Sequence, residues 1–221
     1  MTMSSCLLLT CLLAAIVSTG YSLSCIECTS MNGAICNAAT KACPPEYDSC
    51  LLSYIITSIG GMEVTKTYIR QCGPSSLCSK TGSISLPNGK MKTGTTCCKT
   101  SDCMPANPTL PPDSNKKNGM KCKTCFAPNS PSCDTDLYTS CLGNETVCIT
   151  QVVNRTGDIP TTTTMRGCAT TEMCEPARQV WHLEKMTVYL ENTCTNNGVY
   201  VRPRLLLLII PLWLFSLILS H

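Results

Sequence analysis

Histidine is almost missing from this 221-residue chain: there are two, and one of them, His221, is the final residue of an apolar tail. The other, His182 in Trp181-His182-Leu183, has no nucleophile motif near it, so a hydrolytic centre has no base to build on. A lone histidine of this kind reads as a structural or surface residue. No segment between the two ends holds a sustained helical period, which makes the class all-β. Neither apolar run, Leu7 to Val17 or Leu205 to Leu219, reaches the ~20 residues of a comfortable membrane span. No basic cytoplasmic stop follows the second run.

What the two ends do contain is processing chemistry. Met1 to Ser22 has a short polar start without Lys or Arg, an apolar stretch, and Gly20-Tyr21-Ser22 with small residues at the cleavage positions. That is a signal peptide, removed before Leu23. At the other end Asn196, Asn197 and Gly198 are small residues suited to lipid attachment. A short polar spacer, Val199 to Arg204, and the apolar tail broken by Pro211 follow them. This is the pattern of a glycosylphosphatidylinositol (GPI) anchor signal, with Asn196 the expected attachment residue and residues 197–221 removed. A tilted single transmembrane helix is the alternative for the same tail.

Cysteine is abundant where histidine is scarce. Of 20 cysteines, Cys6 and Cys11 leave with the signal peptide, and the even remainder in the secretory pathway implies disulfides. Their spacing is written twice. Cys25, Cys28, Cys36, Cys43, Cys50, Cys72, Cys78 and Cys97 are separated by 2, 7, 6, 6, 21, 5 and 18 residues. Cys122, Cys125, Cys133, Cys141, Cys148, Cys168, Cys174 and Cys194 are separated by 2, 7, 7, 6, 19, 5 and 19. The chain is therefore a tandem duplication, and Arg70-Gln71-Cys72 matching Arg166-Gly167-Cys168 echoes it. We expect domains over 23–103 and 122–196, joined by a semi-extended, solvated Pro-rich linker over 104–121.

Within the first copy, Leu51 to Ile59 and Met62 to Gln71 flank Gly60-Gly61, the signature of a hairpin. A second hairpin is expected at Asn88-Gly89, between Ser83 to Leu86 and Lys90 to Thr93. In the second copy Cys148 to Val153 and Thr161 to Arg166 flank a turn at Thr156-Gly157-Asp158. Each copy has too few apolar segments for an unaided core, so disulfides, at about 2 to 4 kcal/mol each, decide whether it folds.

This framework resembles the lymphocyte antigen six and urokinase plasminogen activator receptor (LU) family, a three-finger, snake-toxin-like fold. The resemblance is carried by Cys25-Ile26-Glu27-Cys28, the spacings, and the ending Cys97-Cys98-Lys99-Thr100-Ser101-Asp102-Cys103. It implies the pairs Cys25–Cys50, Cys28–Cys36, Cys43–Cys72, Cys78–Cys97 and Cys98–Cys103. For the second copy it implies Cys122–Cys148, Cys125–Cys133, Cys141–Cys168 and Cys174–Cys194. Met104 stands where the family places Asn after the last cysteine, and Thr195 follows Cys194, so the second copy lacks the adjacent-cysteine loop. Its C-terminal end is expected to be looser. In its two-domain build the chain is similar to gamma-type phospholipase inhibitors, with a pheromone-precursor group a second neighbour.

The Cys-x-x-Cys pairs could be half zinc sites or redox motifs, but behind a signal peptide a disulfide framework is the expected state, with no metal or other cofactor. Charge differs between the copies: seven Lys/Arg against five Asp/Glu over 23–103, three against one over 104–121, and five against eight over 122–196. The difference is too modest to suggest nucleic acid. Two N-glycosylation sequons, at Asn144 and Asn154, lie in the second copy. Glycans there would leave the first domain's middle finger freer, and Ile59 and Met62 at its tip are the candidate ligand contacts. Packing of both across their own hairpin is the alternative. The expected function is a non-catalytic, GPI-anchored recognition or adhesion module on the outer leaflet of the plasma membrane, binding an extracellular protein through finger tips. Inhibition of a secreted phospholipase, soluble pheromone-like signalling and extracellular hydrolysis are the competing classes.

Overall fold

The computed structural model describes residues 22–200 apart from 32, 176, 184, 185 and 197. Residues 1–21 of the expected signal peptide and the apolar tail from 201 lie outside the described residues. The described chain is all-β apart from two single-turn 3-10 segments, Ser75–Leu77 and Thr171–Cys174.

The first domain contains β1 (Ser24–Ile26), β2 (Cys28–Ser30), β3 (Thr40–Ala42), β4 (Ser49–Ile59), β5 (Met62–Gly73), β6 (Thr81–Leu86) and β7 (Gly89–Cys98). The second contains β8 (Lys117–Lys123), β9 (Cys125–Pro128), β10 (Tyr138–Leu142), β11 (Val147–Gly157), β12 (Thr161–Ala169), β13 (Arg178–Leu183), β14 (Met186–Thr195) and β15 (Val199–Tyr200). Each domain is a three-finger fold: β1 or β8 with its partner forms the first finger, β4–β5 or β11–β12 the middle, and β6–β7 or β13–β14 the third.

Both glycines of the middle-finger turn have positive φ, +60° at Gly60 and +83° at Gly61, which a tight two-residue hairpin requires. The corresponding turn of the second domain comes one to two residues later than its sequence suggests. β11 runs through Gly157, and Asp158 to Pro160 make the reversal, because Thr156 donates its hydroxyl to Thr187 O (3.3 Å) and holds the strand in register with β14.

Half-cystines are the core. Cys25, Cys43, Cys50 and Cys72 are buried together in the first domain, and Cys122, Cys141 and Cys168 with Met120 in the second. Few aliphatic side chains join them, so the crosslinks both restrict the unfolded chain and supply the buried surface. The duplicated arginines do the same work twice. Arg70 lies opposite Cys28 and donates to Cys36 O (3.2 Å), and Arg166 lies opposite Cys125 and donates to Cys133 O (3.3 Å).

Two expectations change. The linker is not free in solvent but lies along β7: Thr96 donates to Ala106 O, Pro108 is buried, and Asp113 meets Lys92 (2.7 Å) and Lys90 (3.8 Å). Its last residues, from Lys117, already belong to β8. In the unprocessed chain the C-terminal end of the second domain, expected to be looser, carries the short β15, which pairs Val199 with Lys121 and Tyr200 with Met120.

The two domains share one ten-stranded sheet, ordered β13-β14-β11-β12-β6-β7-β4-β5-β2, with β9 also on β12. The join is antiparallel pairing of Cys168 with Ser85 and Ala169 with Ile84. Ile84, Val147, Ile149 and Ala169 close a small apolar core beneath it.

Candidate functional site

Alternate residues of a strand face one side of a sheet, and here one side becomes a groove. Ser53, Ile55 and Thr57 of β4, Met91, Thr93 and Thr95 of β7, Gln151 and Val153 of β11, and Val188 and Leu190 of β14 all line it, enclosing about 290 Å³. Its wall mixes aliphatic side chains with hydroxyls. Gln151 donates to Asn192 Oδ1 (2.8 Å), which satisfies those two polar groups inside it. Lys80 and Glu175, one from each domain, meet at 3.0 Å on its border.

The candidate contacts Ile59 and Met62 do not line this groove but lie beyond it, at the tip of the hairpin whose β4 residues do. They are direct cross-strand partners, and Ile59 continues the alternate row Ser53, Ile55, Thr57. A register shift after Thr57 brings Met62 opposite it. Although adjacent, they are 54% and 73% exposed, so packing across the hairpin leaves most of both side chains in solvent. Val64, also exposed, extends the apolar tip. The N–H of Gly60 donates to Asn88 O (2.7 Å), which ties the middle finger to the turn of the third. Lower on β5, a hydrogen bond from Lys66 to Glu63 raises the lysine pKa and keeps that flank charged.

The closed join between the domains depends on residues that spacing alone does not mark. Glu145, 1% exposed, accepts hydrogen bonds from the hydroxyls of Ser83 (3.1 Å) and Ser85 (2.7 Å) and from the N–H of Leu142 (3.1 Å). Lys90 Nζ stands 3.7 Å away. Thr170 donates its N–H to Ser83 O (3.1 Å), and its hydroxyl accepts the N–H of Ser83 (3.3 Å). At Gly167 a Cβ would fall 2.0 Å from Ser85 O, so only glycine permits this approach. The available signal was mismatch between the copies at matched positions: Tyr47 for Glu145, Gln71 for Gly167, and Pro74 for Thr170.

At the other end of the sheet, β13 of the second domain faces β5 of the first across an open slot of about 440 Å³. Val180 and Trp181 of β13 line it, as do Cys72 and Gly73 of β5, Pro74 and Tyr47.

Among the described residues nine disulfides are present: Cys25–Cys50, Cys28–Cys36, Cys43–Cys72, Cys78–Cys97 and Cys98–Cys103, then Cys122–Cys148, Cys125–Cys133, Cys141–Cys168 and Cys174–Cys194. The Cys-x-x-Cys residues thus belong to separate crosslinks, and their sulfurs are not thiolate ligands. Asn144 and Asn154 are both exposed. Asn154 alternates with groove-lining Val153 and Arg155, so it lies on the outer face, beside its cross-strand partner Tyr189. Asn196 is exposed directly after β14. His182 lies in β13.

The match of a family model to two successive segments agrees with the two-domain build. The family model of the u-PAR/Ly-6 domain matches residues 21–106 and again 118–198. The phospholipase A2 inhibitor NAI of Notechis ater is 31% identical over 176 residues, 76% of this chain and 84% of that protein. A gamma-type phospholipase A2 inhibitor chain of Laticauda semifasciata is 31% identical over 160 residues, 69% and 84% respectively. The crystal structure of mouse TEX101 aligns over 80% of this chain and 99% of its own at 17% identity, with a TM-score of 0.36.

Proposed function

The chain belongs to the u-PAR/Ly-6 domain family, and from that premise we propose that it is a non-catalytic recognition module that binds an extracellular protein along the groove and middle-finger tip of its shared sheet. The observation that carries this reading is the tip itself. Ile59 and Met62 are large apolar side chains left in solvent at the tip of a hairpin whose strand β4 lines a partly apolar groove through Ser53, Ile55 and Thr57. Solvated apolar groups gain free energy when a partner covers them. A hairpin already tied to its neighbour by Gly60 and Asn88 has little entropy left to lose on binding.

A second reading, inhibition of a secreted phospholipase A2, is favoured by the relatives that carry that name. It uses the same surface and names the first partner to try. In either case the mature domains cover 23–103 and 122–196, the signal peptide is removed, and Asn144 and Asn154 carry glycans directed away from the groove. We place the protein on the outer leaflet of the plasma membrane through a lipid on Asn196. Attachment there removes β15 from the mature chain.

Two experiments test this. Surface staining of expressing cells before and after a phosphatidylinositol-specific phospholipase should show release into the medium. Retention would favour a transmembrane tail, and spontaneous secretion would favour the soluble inhibitor or pheromone-like class. The released protein, titrated against secreted phospholipases A2, should bind at least one. The Ile59→Ser, Met62→Ser variant should lose about 2 kcal/mol or more of that affinity. Undiminished binding by the variant would remove the tip from the site.

A further inference from the structure

The open slot between β13 and β5 occupies the position of a second join between the domains. By the register of the third-finger hairpins, Trp181 and His182 stand where Ile84 and Ser85 stand in the first copy, and, counting from matched cysteines, Cys72 and Gly73 stand where Cys168 and Ala169 stand in the second. Those four counterparts are the residues paired across the closed join. The slot therefore has the same two strand edges facing each other, and the mismatched residues explain why they do not meet. Gln71 carries a side chain where Gly167 clears the approach. Pro74 has no N–H to give where Thr170 donates one. Tyr47 fills the place of the carboxylate that gathers Ser83 and Ser85.

An edge that pairs in one copy and is held open in the other is a ready template for strand addition. We propose that this slot takes an extended segment of a protein partner, which adds to the edge of β13 as β12 adds to β6. The occupant is specified by continuity with the closed join: a strand in antiparallel register, with apolar side chains to set against Trp181, Tyr47 and Pro74. Alternate side chains of such a strand would enter the groove, because Trp181 lines both spaces. The proposal rests on the protein-binding reading above but uses a different surface from Ile59 and Met62.

The test uses a library of random linear peptides displayed on phage, selected against the secreted two-domain protein. Bound peptides should slow amide hydrogen exchange at residues 179–182 and at Cys72 and Gly73. They should bind the Ile59→Ser, Met62→Ser variant unchanged. The Gln71→Gly, Pro74→Thr variant, which restores the closing residues of the other copy, should lose at least about tenfold in affinity. If that variant does not fold, exchange on the wild type still decides. Failure to select any peptide, or protection confined to the finger tip, would overturn the proposal. The second result alone would leave the tip-binding function intact, so the two ideas fail separately.

Discussion

At the closed join, Glu145, Thr170 and Gly167 bring β12 within hydrogen-bonding distance of β6. At the slot, Tyr47, Pro74 and Gln71 occupy the corresponding positions and β13 stands apart from β5. The strands on either side are products of one duplication, so the difference comes from a few side chains set on an unchanged framework. Two identical domains joined head to tail have a contact that can repeat indefinitely or close into a ring. Here the repeat is used once and blocked once. The result is a curved sheet with an open groove in place of a sealed one.

Breaking the closed join should give the largest effect. Replacing Glu145 by Ala removes the acceptor for two buried hydroxyls and the half-buried N–H of Leu142 and should cost about 3 kcal/mol in denaturant unfolding of the released protein. Tyr47→Ala, the matched change at the slot, should cost less than about 1 kcal/mol, since Tyr47 is already exposed. Equal losses would mean that the join is not special.

The two domain ends sharpen the contrast further. Cys98 and Cys103 close a loop of sequence separation 5, so replacing both by Ser should cost about 2 kcal/mol in the chain-entropy account. The second domain ends instead on β15, a two-residue pairing. Truncating it after Asn196 should cost only about 1 kcal/mol, measured by thermal unfolding. A larger loss would argue against removal of β15 during maturation.

The smallest effect concerns the linker, which lies along the first domain's β7 and meets the second domain where Gly143 donates its N–H to Lys116 O (2.8 Å). The hydrogen bond from Lys92 holds the Asp113 carboxyl below its ordinary 3.8. A depressed folded pKa stabilises docking above the unfolded value, and the contribution is lost as pH falls from about 3.8 through the lower folded value. Because Asp113 is largely exposed, the contribution should stay under about 1 kcal/mol. Proteolysis of the linker should quicken across that acid window in the wild type, and Asp113→Asn should proteolyse at the faster rate at neutral pH.

Much of this was legible in the residues. Cysteine spacing exposed the duplication, and Gly60-Gly61 and Asn88-Gly89 marked two fingers of the first domain, because turn chemistry and crosslinks act locally. The third finger of the second domain was missed: Arg178 to Leu183 and Met186 to Thr195 are joined without a Gly-containing turn. The docked linker was also missed, since nothing in a Pro-rich polar run says that Asp113 will find Lys92. Glu145 reads as part of a glycosylation sequon, on the surface by expectation, yet it is the most buried carboxylate among the described residues. Ser83, Ser85 and Lys90 of the partner domain, with the N–H of Leu142, make that burial tolerable, and a contact between domains has no period in the sequence to reveal it.

The most direct test of the account is Gly167→Gln, which puts the residue of the open side into the closed one. Small-angle scattering of the released protein should show a larger radius of gyration as β6 and β12 part, and binding of a secreted phospholipase A2, the partner proposed for the groove, should weaken although Ile59 and Met62 are untouched. An unchanged radius with unchanged affinity would contradict the claim that one shared sheet, held by this join, forms the binding surface.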